Sequence, residues 1–250
     1  MVGGGVGGRS GEAPRAWPGA GGEDRVMRMH TVLMGLVLVA LLATGCGVDL
    51  DIDLGDGVDG SGDVVTTAFD VEAFDRVEIS SAFEADIRIV EGAEPSVEIE
   101  TDDNLVDRVR ARVTGESLEI GLRAGSHDPT ELRATIVVGR LDSVEVSGAA
   151  TVSVDGVSGS RFEVSASGAS MVEVAGSVTE VEVEASGASD VDLDRLEAER
   201  ATIDVSGATS VELTATERVT GEASGASSVE VGGGASVDVD TSGVSDVEID

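Results

Sequence analysis

From residue 67 onward, apolar and polar residues alternate with a period of two. "FDRVEIS", "FEADIRIVEG", "SVEIETDD", "VRARVTG" and "SLEIGL" each read as a short strand bounded by Gly, Pro, Asn or Asp. No stretch of adequate length carries the 3.6-residue period of an amphipathic helix. In "DRVRARV", Val109, Ala111 and Val113 share one face and Arg108, Arg110 and Arg112 the other. The arginine face is expected to point outward and pair with nearby carboxylates. The pattern predicts an all-β protein.

From residue 142 the alternation becomes a repeat. Ser-Gly-Ala occurs at Ser147, Ser167, Ser186, Ser206 and Ser224, and Ser-Gly-Val at Ser242, with spacings of 20, 19, 20, 18 and 18. Three residues before the serine stand Val144, Val164, Val183, Ile203, Gly221 and Val239. Five after it stand Val152, Val172, Val191, Val211, Val229 and Val247, and seven after it Val154, Val174, Leu193, Leu213, Val231 and Ile249. Period-two alternation puts these positions on one face of their strands. Strand, tight corner, strand and looser connection make one coil of a β-solenoid (a single-stranded parallel β-helix), with 18–20 residues per coil. One coil cannot bury its apolar face alone, whereas stacked coils form continuous ladders at ~4.8 Å. Each buried Val then contributes on the order of 1.5 kcal/mol before entropy is subtracted.

The corner residues have separate reasons. A sharp turn with positive φ favours Gly, where a Cβ is unfavourable. Ala is small enough to stack on its copy, and Ser can hydrogen-bond the turn backbone. The tripeptide is expected to be a folding device.

Composition narrows the function. There are 49 acidic and 16 basic residues, all of the basic ones Arg, for a net charge of −33. That charge repels nucleic acid and anionic lipid, and aromatics at 2% leave almost no stacking platforms for bases or sugars. Hydrophobic residues at 41% nevertheless supply a core, so the chain is no disordered acidic tail.

The only cysteine, Cys46, excludes an internal disulfide or a cysteine-rich metal site. It follows "MRMHTVLMGLVLVALLATG", in which Arg28 supplies a basic start and residues 31–43 an apolar run too short to span a membrane. Residues 42–46, Leu-Ala-Thr-Gly-Cys, resemble a bacterial lipobox, with Ala in place of the commoner Leu three before Cys. Acylation at Cys46 is therefore expected; a secretion signal followed by a free thiol is the alternative. The Gly-rich residues 1–26 read as an over-extended gene start, with initiation near Val26, Met27 or Met29. The expected organisation is a signal peptide over residues 27–45, an acidic Gly-rich tether over 46–66, and a β-solenoid over 67–250 whose six repeats fill 142–250. The tether does not fit an EF-hand: Leu54 follows Asp53 where Gly is required, and position 60 is Gly where Glu is required.

The segments "FDRVEISSAFEADIRIVEG" and "VEIETDDNLVDRVRARVTGESLEIGL" and the serial "VSGA" turns are similar to the bacterial family named "putative auto-transporter adhesin, head GIN domain". The resemblance covers roughly residues 69–250. It implies a right-handed parallel β-solenoid, exported and commonly lipid-anchored at the bacterial cell membrane or outer membrane. It brings no enzymatic activity and no functional residues to carry over.

Candidate chemistry is sparse. A carbohydrate-active enzyme on a β-helix is the alternative from another class, but Lys is absent and Phe162 is the one aromatic of the repeats. A groove lined by carboxylates and Arg would favour that enzyme. His127, in "AGSHDPTE", is expected in a surface loop. A Ser/Thr ladder for ice or crystalline polysaccharide would use Ser167/Ser170, Ser186/Ser189, Ser206/Thr209 and Ser224/Ser227, which fall at corners. Six residues after each repeat serine stand Ser153, Glu173, Asp192, Glu212, Glu230 and Glu248, an outward carboxylate ladder that calcium could bridge. Together these readings predict a non-enzymatic, lipid-anchored envelope protein that adheres to or scaffolds a surface protein or polysaccharide. Its membrane contact would run through the lipid, and nucleic acid is not a partner.

Overall fold

The computed structural model describes residues 57–249. The expected signal peptide, Cys46 and the first part of the expected tether lie outside the described residues. Nine strands precede the repeats: β1 (Val58–Asp59), β2 (Val64–Phe69), β3 (Arg76–Ile79), β4 (Glu84–Ile89), β5 (Ser96–Asp102), β6 (Val109–Thr114), β7 (Ser117–Leu122), β8 (His127–Asp128) and β9 (Leu132–Val138). The repeats form β10 (Ser143–Val146), β11 (Thr151–Ala166), β12 (Met171–Ala185), β13 (Asp190–Val205), β14 (Ser210–Ala223), β15 (Ser228–Gly232), β16 (Ser236–Thr241) and β17 (Asp246–Ile249). One short 3-10 turn, Val106–Arg108, is the helical structure among the described residues.

The repeat strands stack in parallel in the register set by their serines. Val144 faces Val164, Val164 faces Val183, and Val183 faces Ile203 in successive coils. Val152, Val172, Val191, Val211 and Val229 form a second column, fully buried, as is the third, Val154, Val174, Leu193, Leu213 and Val231. Small β-branched side chains suit this core because each must interdigitate with its own copy one coil away. The expected looser connection is instead bulged strand. β11 runs unbroken from Thr151 to Ala166, turning at Gly156 (φ +91), where its register against β12 shifts.

At each corner Gly is required twice over. Gly168 has φ +84, and a Cβ there would lie 2.5 Å from the Gly148 carbonyl oxygen. That carbonyl accepts a hydrogen bond from the Ala169 N–H at 2.7 Å, and the same bond recurs at Ala188, Ala208 and Ala226. The corners thus stack backbone on backbone, with no room for a side chain between them.

The N-terminal half departs from the simple stack. Ser80-Ser81-Ala82 is a further corner of the same kind: Ser81 adopts φ +78, and its carbonyl receives the Ala149 N–H at 2.8 Å. Its strands β3 and β4 lie against β10 and β11, so this coil precedes the first Ser-Gly-Ala coil in space. The chain then places β7 and β9 on the outer side of β3 and β4, parallel to them, before returning to β10. Sequence order and stacking order therefore differ here. β2, β5 and β6 add antiparallel pairs at this end, so the sheet is not purely parallel.

Residues 57–66, expected to belong to a solvated tether, are folded. β1 pairs with β8, and β2 already starts at Val64. The Asp102 carboxylate, wholly buried, explains this: it accepts the backbone N–H groups of Gly62 and Thr130, each at 2.7 Å. A Cβ on Gly60 would collide with that carboxylate. Burial pushes Asp102 up, but the N–H groups of Gly62 and Thr130 outweigh it and hold the carboxyl below its ordinary value.

Candidate functional site

The corner hydroxyls are spent on the fold. In the later coils the residue three after the repeat serine closes the turn: the Oγ of Ser189 donates to the Ser186 carbonyl at 2.9 Å, and the Oγ1 of Thr209 to the Ser206 carbonyl at 2.7 Å, whereas the buried Oγ of Ser170 has no partner among the described residues. Ser170, Ser189, Thr209 and Ser227 are buried, so half of the Ser/Thr ladder considered for ice or crystalline polysaccharide is withdrawn from the surface.

Outward positions carry two carboxylate ladders, one on each side of the corner. Glu173, Asp192, Glu212, Glu230 and Glu248 are in register across β12 to β17, continuing from Asp86 through Ser153. The second ladder, two residues before each serine, runs Glu119, Glu78, Glu145, Ser165, Glu184, Asp204, Glu222 and Asp240. Its signal was present in the same repeat alignment. Relief comes from scattered Arg: Arg195 reaches Glu173 of the first ladder at 3.2 Å, and Arg112 reaches Glu119 of the second at 2.6 Å.

Among the described residues, Asp192, Asp194 and Glu212 place ligand oxygens within 4.8 Å of one another. One Asp192 oxygen is already committed, accepting the Asp194 N–H at 3.0 Å. Three carboxylates of this kind suit a hard cation but fall short of the six to eight oxygens calcium takes. Their clear effect is on Glu212, which partial burial and the neighbours Asp194, Asp192 and Asp190 push above the ordinary carboxylate value.

Concavity occurs elsewhere, where β3, β7, β10 and β11 meet. A groove of about 470 Å³ is lined by Ser117, Ser143 and Ser160, by Arg76, Arg140 and Arg161, and by four carboxylates, Glu78, Asp142, Glu145 and Glu163. Small residues at the centre of outward rows make the depression: Ser143 sits between Arg76 and Glu163 in register. Arg140 grips Asp142 with two hydrogen bonds of 2.7 and 2.6 Å, and that bonding raises the guanidinium pKa further. Arg161 turns to Glu182 and Glu180 on β12. Arg76 makes only a long contact, 3.9 Å, to Asp75, and Ser117 donates to Glu78 at 2.8 Å. A polar groove of this size can hold a hydroxyl-rich ligand through charged and hydroxyl groups, with Val77 the one apolar residue of its lining. The repeat period did not reveal it, because it forms where the irregular coils meet the regular ones.

His127 belongs to β8 rather than to a loop. Its Nε2 lies 3.1 Å from the Arg123 carbonyl, and no carboxylate among the described residues bonds to it. The expected outward pairing of the β6 arginines holds at Arg112, which meets Glu119 at 2.6 Å and holds that carboxyl below its ordinary value.

Comparison with known proteins bears on the whole solenoid. The family described as "Putative auto-transporter adhesin, head GIN domain" matches residues 73–235. No curated protein matches the chain. A crystal structure of a "putative adhesin" from Bacteroides fragilis NCTC 9343 is similar at 15% identity with a TM-score of 0.67, covering 78% of this chain and 100% of that one. A "putative lipid binding protein" from Parabacteroides distasonis ATCC 8503 gives 15% identity and a TM-score of 0.49 over 77% of this chain and 99% of its own. A "putative adhesin" from Parabacteroides merdae ATCC 43184 gives 17% and 0.47 over 78% and 100%.

Proposed function

The chain belongs to the "putative auto-transporter adhesin, head GIN domain" family, and on that premise we propose that it is a non-catalytic adhesin of the bacterial surface, lipid-anchored through Cys46, whose groove takes a polysaccharide. The observation that carries this reading is the groove of Arg76, Arg140 and Arg161 interleaved with carboxylates and serines. Guanidinium and carboxylate groups are the strong donors and acceptors for sugar hydroxyls, and Arg76, held only by its 3.9 Å contact to Asp75, can also meet an acidic sugar. Binding rather than cleavage is favoured because Asp142 is locked by Arg140 and no aromatic platform lines the groove.

The test is a glycan array probed with the mature chain, alongside a pull-down from intact cells. Arg76→Ala and Ser143→Phe, the second placing bulk in the groove lining, are expected to weaken capture at least tenfold, about 1.4 kcal/mol, with folding retained. Capture untouched by both substitutions would remove the groove from the reading, and a protein recovered in place of a glycan would change the ligand class. The carbohydrate-active enzyme is the second reading, favoured by the same carboxylate-plus-Arg groove. It requires new reducing ends released from the captured glycan, abolished by Glu163→Gln. The anchor is tested separately: Cys46→Ser should lose detergent-phase partitioning while keeping the fold.

A further inference from the structure

The groove has a neighbour. Beside it lies a second depression of about 130 Å³, whose lining includes Ser80, Gly121, Ser147 and Arg110. Glu78 and Glu145 line both. The sheet register explains the pair, because outward residues of β7, β3 and β10 fall into three cross-strand rows. Ser117, Arg76 and Ser143 make the first, and Glu119, Glu78 and Glu145 the second. The third holds Gly121, Ser80 and Ser147, where the Ser80 N–H donates to the Ile120 carbonyl and the Ser147 N–H to the Ile79 carbonyl. Small residues therefore hollow the sheet on either side of a glutamate row. Gly121 has to stay small, since a Cβ there would strike the Ser80 Oγ. From Arg76 to Ser80 the two depressions follow β3 for ~13 Å, at ~3.3 Å per residue.

The charges around this row are unevenly committed. Arg140 and Asp142 neutralise each other, Arg161 turns away to β12, and Arg112 holds Glu119. Glu78 accepts from Ser117. Among the described residues, no side-chain hydrogen bond or ion pair reaches the carboxylates of Glu145 or Glu163. Glu145 is exposed and stands one strand, ~4.8 Å, from Glu78, between the two depressions. Two carboxylates at that spacing repel each other, and a cation with several donors placed over both relieves them. The net charge of −33 also draws cationic ligands toward the surface and repels anionic ones.

We propose that the two depressions are one cleft, which takes a polysaccharide lying along β3 with a protonated amino sugar over Glu78 and Glu145. The inference rests on the groove being the ligand site and names the sugar it selects. An ammonium brings a full charge and three donors to the carboxylate pair, whereas an N-acetylated amine brings no charge and one donor. Arg76 and Ser143 face the hydroxyls of one flanking unit, and Arg110 those of the other. A single sugar cannot fill both depressions, so affinity grows with chain length.

Calorimetric titration of the chain carrying Cys46→Ser reads this selectivity. The probes are a β-1,4-linked glucosamine tetramer, its N-acetylated counterpart and glucosamine itself, at matched ionic strength and mildly acidic pH. The free-amine tetramer should bind at least tenfold tighter than either of the others. Glu145→Gln should bring it down to the N-acetylated level. Glu212→Gln, the same loss of charge on the first ladder, should leave the preference intact. Arg110→Ala should weaken the tetramer and spare the monomer. Two tetramers that bind alike, and are both lost in Ser143→Phe, overturn the amine while leaving the groove as the ligand site. A preference that survives Ser143→Phe, or equal losses in Glu145→Gln and Glu212→Gln, means that surface charge alone holds the oligomer and overturns the proposal. A tetralysine peptide bound as tightly as the sugar overturns it too, because the cleft would then read charge without the sugar.

Discussion

The repeat coils and the N-terminal coils are built from the same corner, but they use it differently. In the repeats each corner glycine stacks on the one before, and every coil resembles its neighbour. In the N-terminal half the corner is Ser80-Ser81-Ala82, with Ser81 at φ +78 where the repeats place Gly. There the chain leaves the stack, adds β7 and β9 behind its own first coil, and buries a charged carboxylate to hold the detour. Regularity yields a uniform acidic surface; the groove arises where regularity is broken.

The comparison breaks most sharply at the corner itself. Gly187→Val puts a branched side chain at φ +83 with its Cβ 2.5 Å from the Gly168 carbonyl oxygen. The expected loss is roughly 3 kcal/mol, read as a lower unfolding midpoint in denaturant. Ser81→Gly at the equivalent N-terminal corner should go the other way. Relief of a left-handed non-glycine conformation worth ~1–2 kcal/mol is partly offset by the entropy of Gly and by loss of the hydrogen bond, 3.3 Å, that the Leu122 N–H donates to the Ser81 Oγ, leaving at most a small gain. Similar losses at both positions would mean the two corners are not equivalent.

Asp102→Asn tests whether the N-terminal half depends on its buried anion. The midpoint should fall by several degrees, and hydrogen exchange should quicken over residues 57–66 and 126–132 while the repeats stay protected. The pH dependence has a defined sign. Because the folded-state value is depressed, the stabilisation is present above the ordinary carboxylate range and is lost as pH falls through the folded value. Uniform loss of protection along the chain would show that the halves unfold as one unit.

Within a single corner the hydroxyl roles divide. Ser189→Ala removes the buried donor to the Ser186 carbonyl and should cost about 1 kcal/mol. Ser186→Ala should cost less, since this side chain is exposed. The reverse order would return the turn-closing role to the repeat serine.

Much of this was legible in the chain. Strand faces, corner glycines, valine columns and the Glu173–Glu248 ladder all follow from one period, because a solenoid translates sequence spacing directly into vertical neighbours. What escaped lies outside the period. Ser80 stands 67 residues before Ser147, so no spacing of 18–20 links them, and Ser81 hides the corner by not being Gly. Gly60 and Gly62 look like linker glycines until Asp102, forty residues away from Gly62, is seen to need the N–H of one and the missing Cβ of the other. The groove likewise depends on β7 and β10 flanking β3, an order that local pattern does not encode.

The smallest expected effect concerns the outward face of the repeats, where charge rather than backbone sets the difference from the N-terminal half. Glu212 stands in register between Asp192 and Glu230, and Asp192, Asp194 and Glu212 crowd within 4.8 Å. Partial burial and these neighbours raise its pKa, so the folded state holds the proton more tightly than the unfolded chain does. The sign is then opposite to that of Asp102: ionised Glu212 destabilises the fold above its folded-state value, and the penalty fades as pH falls into the ordinary carboxylate range. Glu212→Gln should therefore raise the melting temperature slightly at neutral pH, by the few tenths of a kcal/mol typical of relieved like-charge neighbours, roughly 0.2–1. The gain should vanish in acid. Salt should reproduce it in the unaltered protein by screening both ladders, so the variant and the parent should converge at high ionic strength. Calcium at matched ionic strength separates bridging from screening, because only bridging would lift the parent above Glu212→Gln. A variant no more stable than its parent at neutral pH and low salt would mean the stacked carboxylates are already relieved by solvent, and the contrast between the two halves would rest on backbone alone.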